Sequence, residues 1–296
     1  MAGLVKCVFI LCAALAASGN KLGDNDVIFH LFSKQNPQMS QPLLPIPSSI
    51  MASNFLPNRQ TVITIHSSGD SVTGNFNAFL VPAHLSAQDV NLLAVDWSPA
   101  SGMYTQGLSN AVACAERIAS FINLLSSAFN YGPSNIRIVG VGLGGHIAGI
   151  AADRVIGNIP HIIAIDPSLP GWTHHPDILK RGQALLVEVL HATAGTLGYD
   201  YPLGDLDFYP NGGQNQIGCG SDISCSHILS YIFYAESIST AGGSRFVGTA
   251  CENYDQAIAQ NCSGQRGVVF GGLANKAGQS GIYSFQTNPT QPFAQG

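Results

Sequence analysis

Charge is what this chain of 296 residues has least of: lysine and arginine number 12 and aspartate and glutamate 17, together 10% of the sequence. Ordinary soluble domains carry about a quarter. A net charge of −5 and the lack of any basic cluster remove the electrostatic footprint of a nucleic-acid-binding protein. Beyond the N-terminus no run reads as long and apolar enough for a transmembrane helix, so none is expected. No low-complexity linker and no internal repeat divides the chain. Its length suits one large α/β domain or two small ones.

What is present begins with an address. Lys6 precedes an apolar run from Val8 to Ala17, and small residues follow at Ala16-Ala17-Ser18-Gly19. This is a basic n-region, an h-region too short to span a bilayer, and a cleavage site near Ser18 or Gly19. Residues 1–19 therefore read as a secretory signal peptide, and residues 24–296 as the mature domain of an extracellular protein. Of the 7 cysteines, Cys7 and Cys12 leave with the signal. Four of the remaining five are clustered late. That suits local bridges Cys219–Cys225 and Cys251–Cys262 in an oxidising compartment, although four cysteines allow three connectivities. Cys114, in an apolar helical stretch, reads as a buried thiol. Asn261-Cys262-Ser263 is formally a glycosylation sequon on Asn261.

Strand and helix signals alternate. Thr61–His66 and Leu92–Asp96 are short β-rich apolar runs of the kind buried on both faces of a parallel sheet; Asn135–Val139, which alternates polar and β-branched residues, Ile162–Ile165 and Leu185–Leu190 follow as further strands. Ser109 is placed to cap a long amphipathic helix towards Asn130, stopped by Gly132-Pro133. Such alternation implies an α/β fold, a largely parallel sheet wrapped by helices. From Gly264 onward the chain is glycine-rich and poorly periodic, and reads as edge strands and a loose tail.

One junction carries chemistry. The strand ending at Val139 runs into Gly140-Val141-Gly142-Leu143-Gly144 and then a helical stretch from Gly145. Strand, sharp turn and helix are the parts of a nucleophile elbow, G-x-S-x-G, with Gly142 where the serine belongs. Glycine has no hydroxyl to activate. The same residues also spell Gly140-x-Gly142-x-x-Gly145, with Asp166 ending the next strand, the local signature of a dinucleotide-binding βαβ unit. Local sequence alone leaves both readings open.

The wider chain separates them. Gly142 is followed in order by Asp166, in Ile165-Asp166-Pro167-Ser168-Leu169-Pro170, and by His227, in a loop edged by Cys225. Nucleophile, acid, base is the chain order of an α/β-hydrolase triad. Further motifs are Val95-Asp96-Trp97, Pro133-Ser134-Asn135-Ile136-Arg137-Ile138-Val139-Gly140, Asp207-Phe208-Tyr209-Pro210-Asn211-Gly212-Gly213 and Tyr234-Ala235-Glu236-Ser237. Together they resemble the pancreatic lipase family, including its phospholipase A1 and yolk-protein branches, over nearly the whole mature chain. A dinucleotide-binding domain predicts none of them.

The resemblance implies an α/β-hydrolase fold without the C-terminal β-sandwich, because the chain ends too soon. It assigns Asp166 and His227 to the acid and base of a vestigial triad, with Gly142 at the nucleophile position. It places the oxyanion hole at the backbone N–H groups of Leu143 and Ser68. There the chain reads His66-Ser67-Ser68, where the family shows His-Gly and an aromatic residue. Ser67, Ser68 and Ser226 are the nearest alternative nucleophiles, and none sits on an elbow. Lys180 and Gln183 occupy places where the family offers acidic calcium ligands, so neither a metal nor a cofactor is expected. The five-residue lid between Cys219 and Cys225 is of the phospholipase A1 type. The expected partner is an acyl lipid or lipid surface, bound by a catalytically silent carrier or storage protein. The competing class is an active carboxyl-ester hydrolase with a compensating nucleophile.

Overall fold

β-branched, apolar runs punctuated by glycine and proline become strands that are buried on both faces. The computed structural model describes residues 22–239 and 245–296, so the expected signal peptide lies outside the described residues. The strands are β1 (Ile28–Phe32), β2 (Gln41–Leu43), β3 (Thr61–Ile65), β4 (Asn91–Asp96), β5 (Ile136–Val141), β6 (His161–Ile165), β7 (Val187–Leu190), β8 (Leu206–Pro210), β9 (Val247–Cys251), β10 (Arg266–Val269) and β11 (Gly281–Phe285). The helices are α1 (Pro47–Met51), α2 (Asn75–Ala87), α3 (Tyr104–Phe129), α4 (Leu143–Arg154), α5 (Ile223–Ile238) and α6 (Tyr254–Ile258).

All strands join one sheet in the order β10-β9-β11-β8-β7-β6-β5-β3-β4-β1-β2. From β11 to β4 every neighbouring pair is parallel, and the outer pairs at each end are antiparallel. Alternate strand residues feed two cores. Ile63, Ile138 and Ile162 pack with α3 and α4, while Val62, Val139 and Ile163 pack with α2 and α5. Helices on both faces of a parallel sheet are the fold class that the alternation implied.

Three expectations need correction. The long helix starts at Tyr104, with Met103 as N-cap, and Ser109 Oγ instead donates to the Thr105 carbonyl one turn back. It ends at Asn130, left-handed at φ 53°, just ahead of Gly132-Pro133. This helix is also long and apolar enough by composition to cross a membrane, contrary to the expectation that no such run exists. Its buried stripe, Ala111, Cys114, Ala115, Ile118, Phe121, Ile122 and Leu125, packs on the sheet and marks it as a core helix. Finally, the C-terminal stretch is neither peripheral nor loose. β11 pairs in parallel with β8, and buried Phe293 and Ala294 donate their N–H groups to Glu236.

Candidate active-site cleft

The carboxyl ends of β3, β5, β6 and β7 converge, as ligand-binding ends of parallel sheets do. β5 delivers Gly142 at φ 57° and ψ −119° as the N-cap of α4, a backbone conformation L side chains rarely adopt. The turn is held by Gly142 N–H donating to the Ile165 carbonyl and Ser168 N–H to the Gly142 carbonyl, at 3.0 and 3.2 Å. The flanking glycines are required by close approach: a Cβ on Gly140 would strike the Gly144 carbonyl, and one on Gly144 the Ile65 carbonyl. Those spaces are filled by the protein's own backbone rather than left for a pyrophosphate. The dinucleotide reading therefore loses its physical basis.

β6 ends in Asp166, itself left-handed at φ 45° and fully buried. Its Oδ1 accepts the Ala192 and Thr193 N–H groups at 2.8 and 2.9 Å. Its Oδ2 accepts the Thr193 hydroxyl and, at 2.7 Å, His227 Nδ1–H. Burial pushes the Asp166 carboxyl up, but these donors and the His227 ring outweigh it and hold the group below the usual carboxylate range. The Thr193 contribution had no motif behind it in the sequence. It follows from β7 ending beside β6, and only a threonine three residues past a strand hinted at it.

His227 lies on the first turns of α5 rather than in a loop, because Asp222 caps the helix by accepting Cys225 N–H at 3.0 Å. Since Nδ1–H is donated to Asp166, the neutral ring presents Nε2 as an acceptor. Among the described residues no group hydrogen-bonds to Nε2.

Over the glycine turn stands Ser67. A Cβ built on Gly142 would collide with Ser67 Oγ, lie 2.9 Å from Ser67 Cβ, and lie 3.4 Å from Ser168 Oγ. Ser67 Oγ also accepts the Leu143 N–H at 3.2 Å. The chain's own hydroxyl therefore occupies the place above the turn and takes one of the two N–H groups assigned to an oxyanion hole. Ser68 lines the adjoining cleft. Ser226 is fully buried, and its Oγ accepts Gln216 N–H, so it faces away from the chemistry.

The cleft has a volume of about 650 Å³, inside the range of small-molecule sites. Ser67, Ser68 and His227 share it with an apolar wall of Tyr104, Val141, Pro170, Leu197, Ile228 and Tyr231. Tyr104 is fixed by its hydroxyl, which donates to the Pro170 carbonyl at 2.7 Å.

The bridges Cys219–Cys225 and Cys251–Cys262 both form, leaving Cys114 as a buried free thiol. Asn261 is exposed beside the second bridge. At the place assigned to calcium, Gln183 accepts Lys180 N–H and donates its amide to Asp153. An amide oxygen already in use and a single carboxylate do not fit a calcium ion, which takes several oxygen ligands.

Residues 7–292 match the family model described as Lipase. The pancreatic triacylglycerol lipase of Myocastor coypus is 32% identical over 261 residues, covering 79% of this chain and 57% of that protein. That of Sus scrofa is 32% identical over 266 residues, covering 81% and 59%. This chain thus spans less than two thirds of the length of these relatives. Among solved structures, Thermogutta terrifontis esterase 2 phosphonylated by cyclosarin aligns at 16% identity and a TM-score of 0.37, over 61% of this chain and 71% of that one. On the family match and the identity to these relatives, the chain belongs to the pancreatic lipase family.

Proposed function

We propose that this chain is a secreted, catalytically silent member of its family whose cleft binds an acyl lipid, in a carrier or storage role. The observation that carries this reading is the pairing of Gly142 with Ser67. No hydroxyl projects from the turn towards His227, and Ser67 Oγ takes both the space above the turn and the Leu143 N–H. Acyl transfer needs a nucleophile within reach of its base, and separate N–H donors aimed at the developing oxyanion. Loss of the nucleophile alone has cost about a millionfold in a serine protease. The two disulfides and the sequence at residues 1–19 support secretion.

One observation favours a second reading, an active ester hydrolase: the Ser67 hydroxyl sits near the place of the missing one. It ranks second because no hydrogen bond joins Ser67 to His227 and because Ser67 Oγ consumes an oxyanion donor. The test is hydrolysis of a short-chain chromogenic ester and of a phospholipid, with labelling by a serine-directed fluorophosphonate. Background turnover and no label are expected. Robust turnover abolished by His227→Ala, or label recovered on Ser67, would establish the hydrolase instead.

A further inference from the structure

The polar groups that face the cleft define what head group it can hold, given the reading that it binds a lipid at all. Asp166 is kept ionised by four donors and lies directly behind His227. Asp70, also on the cleft, has its carboxylate oxygens engaged by the Ser71 and Phe76 N–H groups. Burial and the Asp70 charge push the Tyr231 phenol up to about 12, so Tyr231 stays neutral on the cleft wall. Among the described residues no lysine or arginine lines the cleft. The titratable groups on it are Asp70, Tyr104, His227 and Tyr231. A carboxylate or phosphate head would therefore meet the Asp70 carboxylate on the cleft, with the buried Asp166 carboxylate behind His227 and no permanent cation among the described lining residues.

The hydrogen-bonding groups point the other way. His227 Nε2 is an acceptor awaiting a donor. Ser67 Oγ already accepts from Leu143, which leaves its O–H free to donate. Acceptor and donor line the same cleft without bonding to each other. A hydroxyl satisfies both at once, since it donates one hydrogen bond and accepts others.

We propose that the cleft takes a neutral single-chain lipid with a hydroxyl head, which donates to His227 Nε2 and accepts from the Ser67 hydroxyl, and that it discriminates against the matching carboxylate. The chain lies along Tyr104, Pro170, Leu197 and Ile228. On this proposal the Asp166–His227 pair accepts a ligand's hydroxyl and abstracts no proton from it.

Displacement of Nile red from the full chain at neutral pH, by dodecanol and by laurate, tests the proposal. Dodecanol should bind about tenfold tighter or more, the factor that roughly 1.4 kcal/mol of unpaired or repelled charge produces. Ser67→Ala and His227→Asn should each narrow that gap; the asparagine can keep an N–H for Asp166 while deleting Nε2. Laurate binding as tightly as dodecanol, or a gap unchanged in both variants, would overturn the proposal and leave the lipid-binding reading standing. Binding of none of the three probes would overturn both.

Discussion

At Gly142 two constraints act on one residue: φ of 57°, which strains any L side chain, and a neighbour, Ser67, that fills the space a Cβ would enter. Left-handed backbone of this kind costs roughly 1–3 kcal/mol for a non-glycine residue. Gly142→Ser alone is therefore expected to lower the thermal midpoint and to restore little ester hydrolysis, because the new side chain must displace Ser67. Combining it with Ser67→Gly removes the collision and frees the Leu143 N–H. The double variant should regain stability relative to Gly142→Ser and show turnover that depends on His227. A missing oxyanion donor costs about 10²–10³ in rate, so a gain of that order on adding Ser67→Gly is the expected signature. Equal rates for the single and double variants would mean that Ser67 does not block the site. Asp166 and His227 were legible in the sequence because motifs carry them. The Ser67 contact was not, since it joins residues 76 positions apart across two strand ends.

Among the elements, β7 and β8 do more than extend the sheet. His191, just past β7, places Nε2 3.0 Å from Asp207 of β8 and Nδ1 2.7 Å from the Tyr199 carbonyl, and stacks on Tyr209. Asp207 also accepts the Leu203 and Gly204 N–H groups. This buried cluster fixes the step from Leu190 to Ala192 and Thr193, whose N–H groups hold Asp166. Asp207→Ala strands several buried donors at once and should destabilise by about 3–5 kcal/mol in urea unfolding. A loss under about 1 kcal/mol, the level of an ordinary hydrogen bond, would show the cluster to be incidental. Sequence pattern revealed the central strands well, since β3, β4 and β6 are mostly apolar runs and β5 alternates polar and β-branched residues at its start. It failed at the helix N-terminus, where Met103 caps without a side-chain acceptor. It also failed at β11, whose pairing with β8 is a long-range contact that no local pattern encodes.

Across the whole molecule, buried histidines set how the fold meets acid. Burial pulls His84 down to about 3, with Arg137 adding to the effect, and burial pulls His146 down to about 3 where it stacks on Trp172. Burial lowers His161 as well, against the opposing pull of Glu188. In the unfolded chain these rings take up a proton near the ordinary value of 6.5, whereas in the fold His84 and His146 stay neutral until about pH 3 and His161 is shifted in the same direction. The unfolded state thus binds more protons throughout that window, so stability must fall as pH drops below about 6.5, by roughly 1.4 kcal/mol per pH unit for each ring. Glu188 adds a second, more acid phase. Burial disfavours its charge, but Lys276 and His161 hold it at about 2. Its contribution is present above the ordinary glutamate range and is lost as pH falls from there towards 2. Thermal midpoints measured from neutral to about pH 4 should therefore decline before any carboxylate titrates. His84→Gln should flatten that early decline by about one proton's worth while leaving the acid phase in place. A midpoint constant between about pH 7 and pH 5 would show that these histidines are protonated inside the fold.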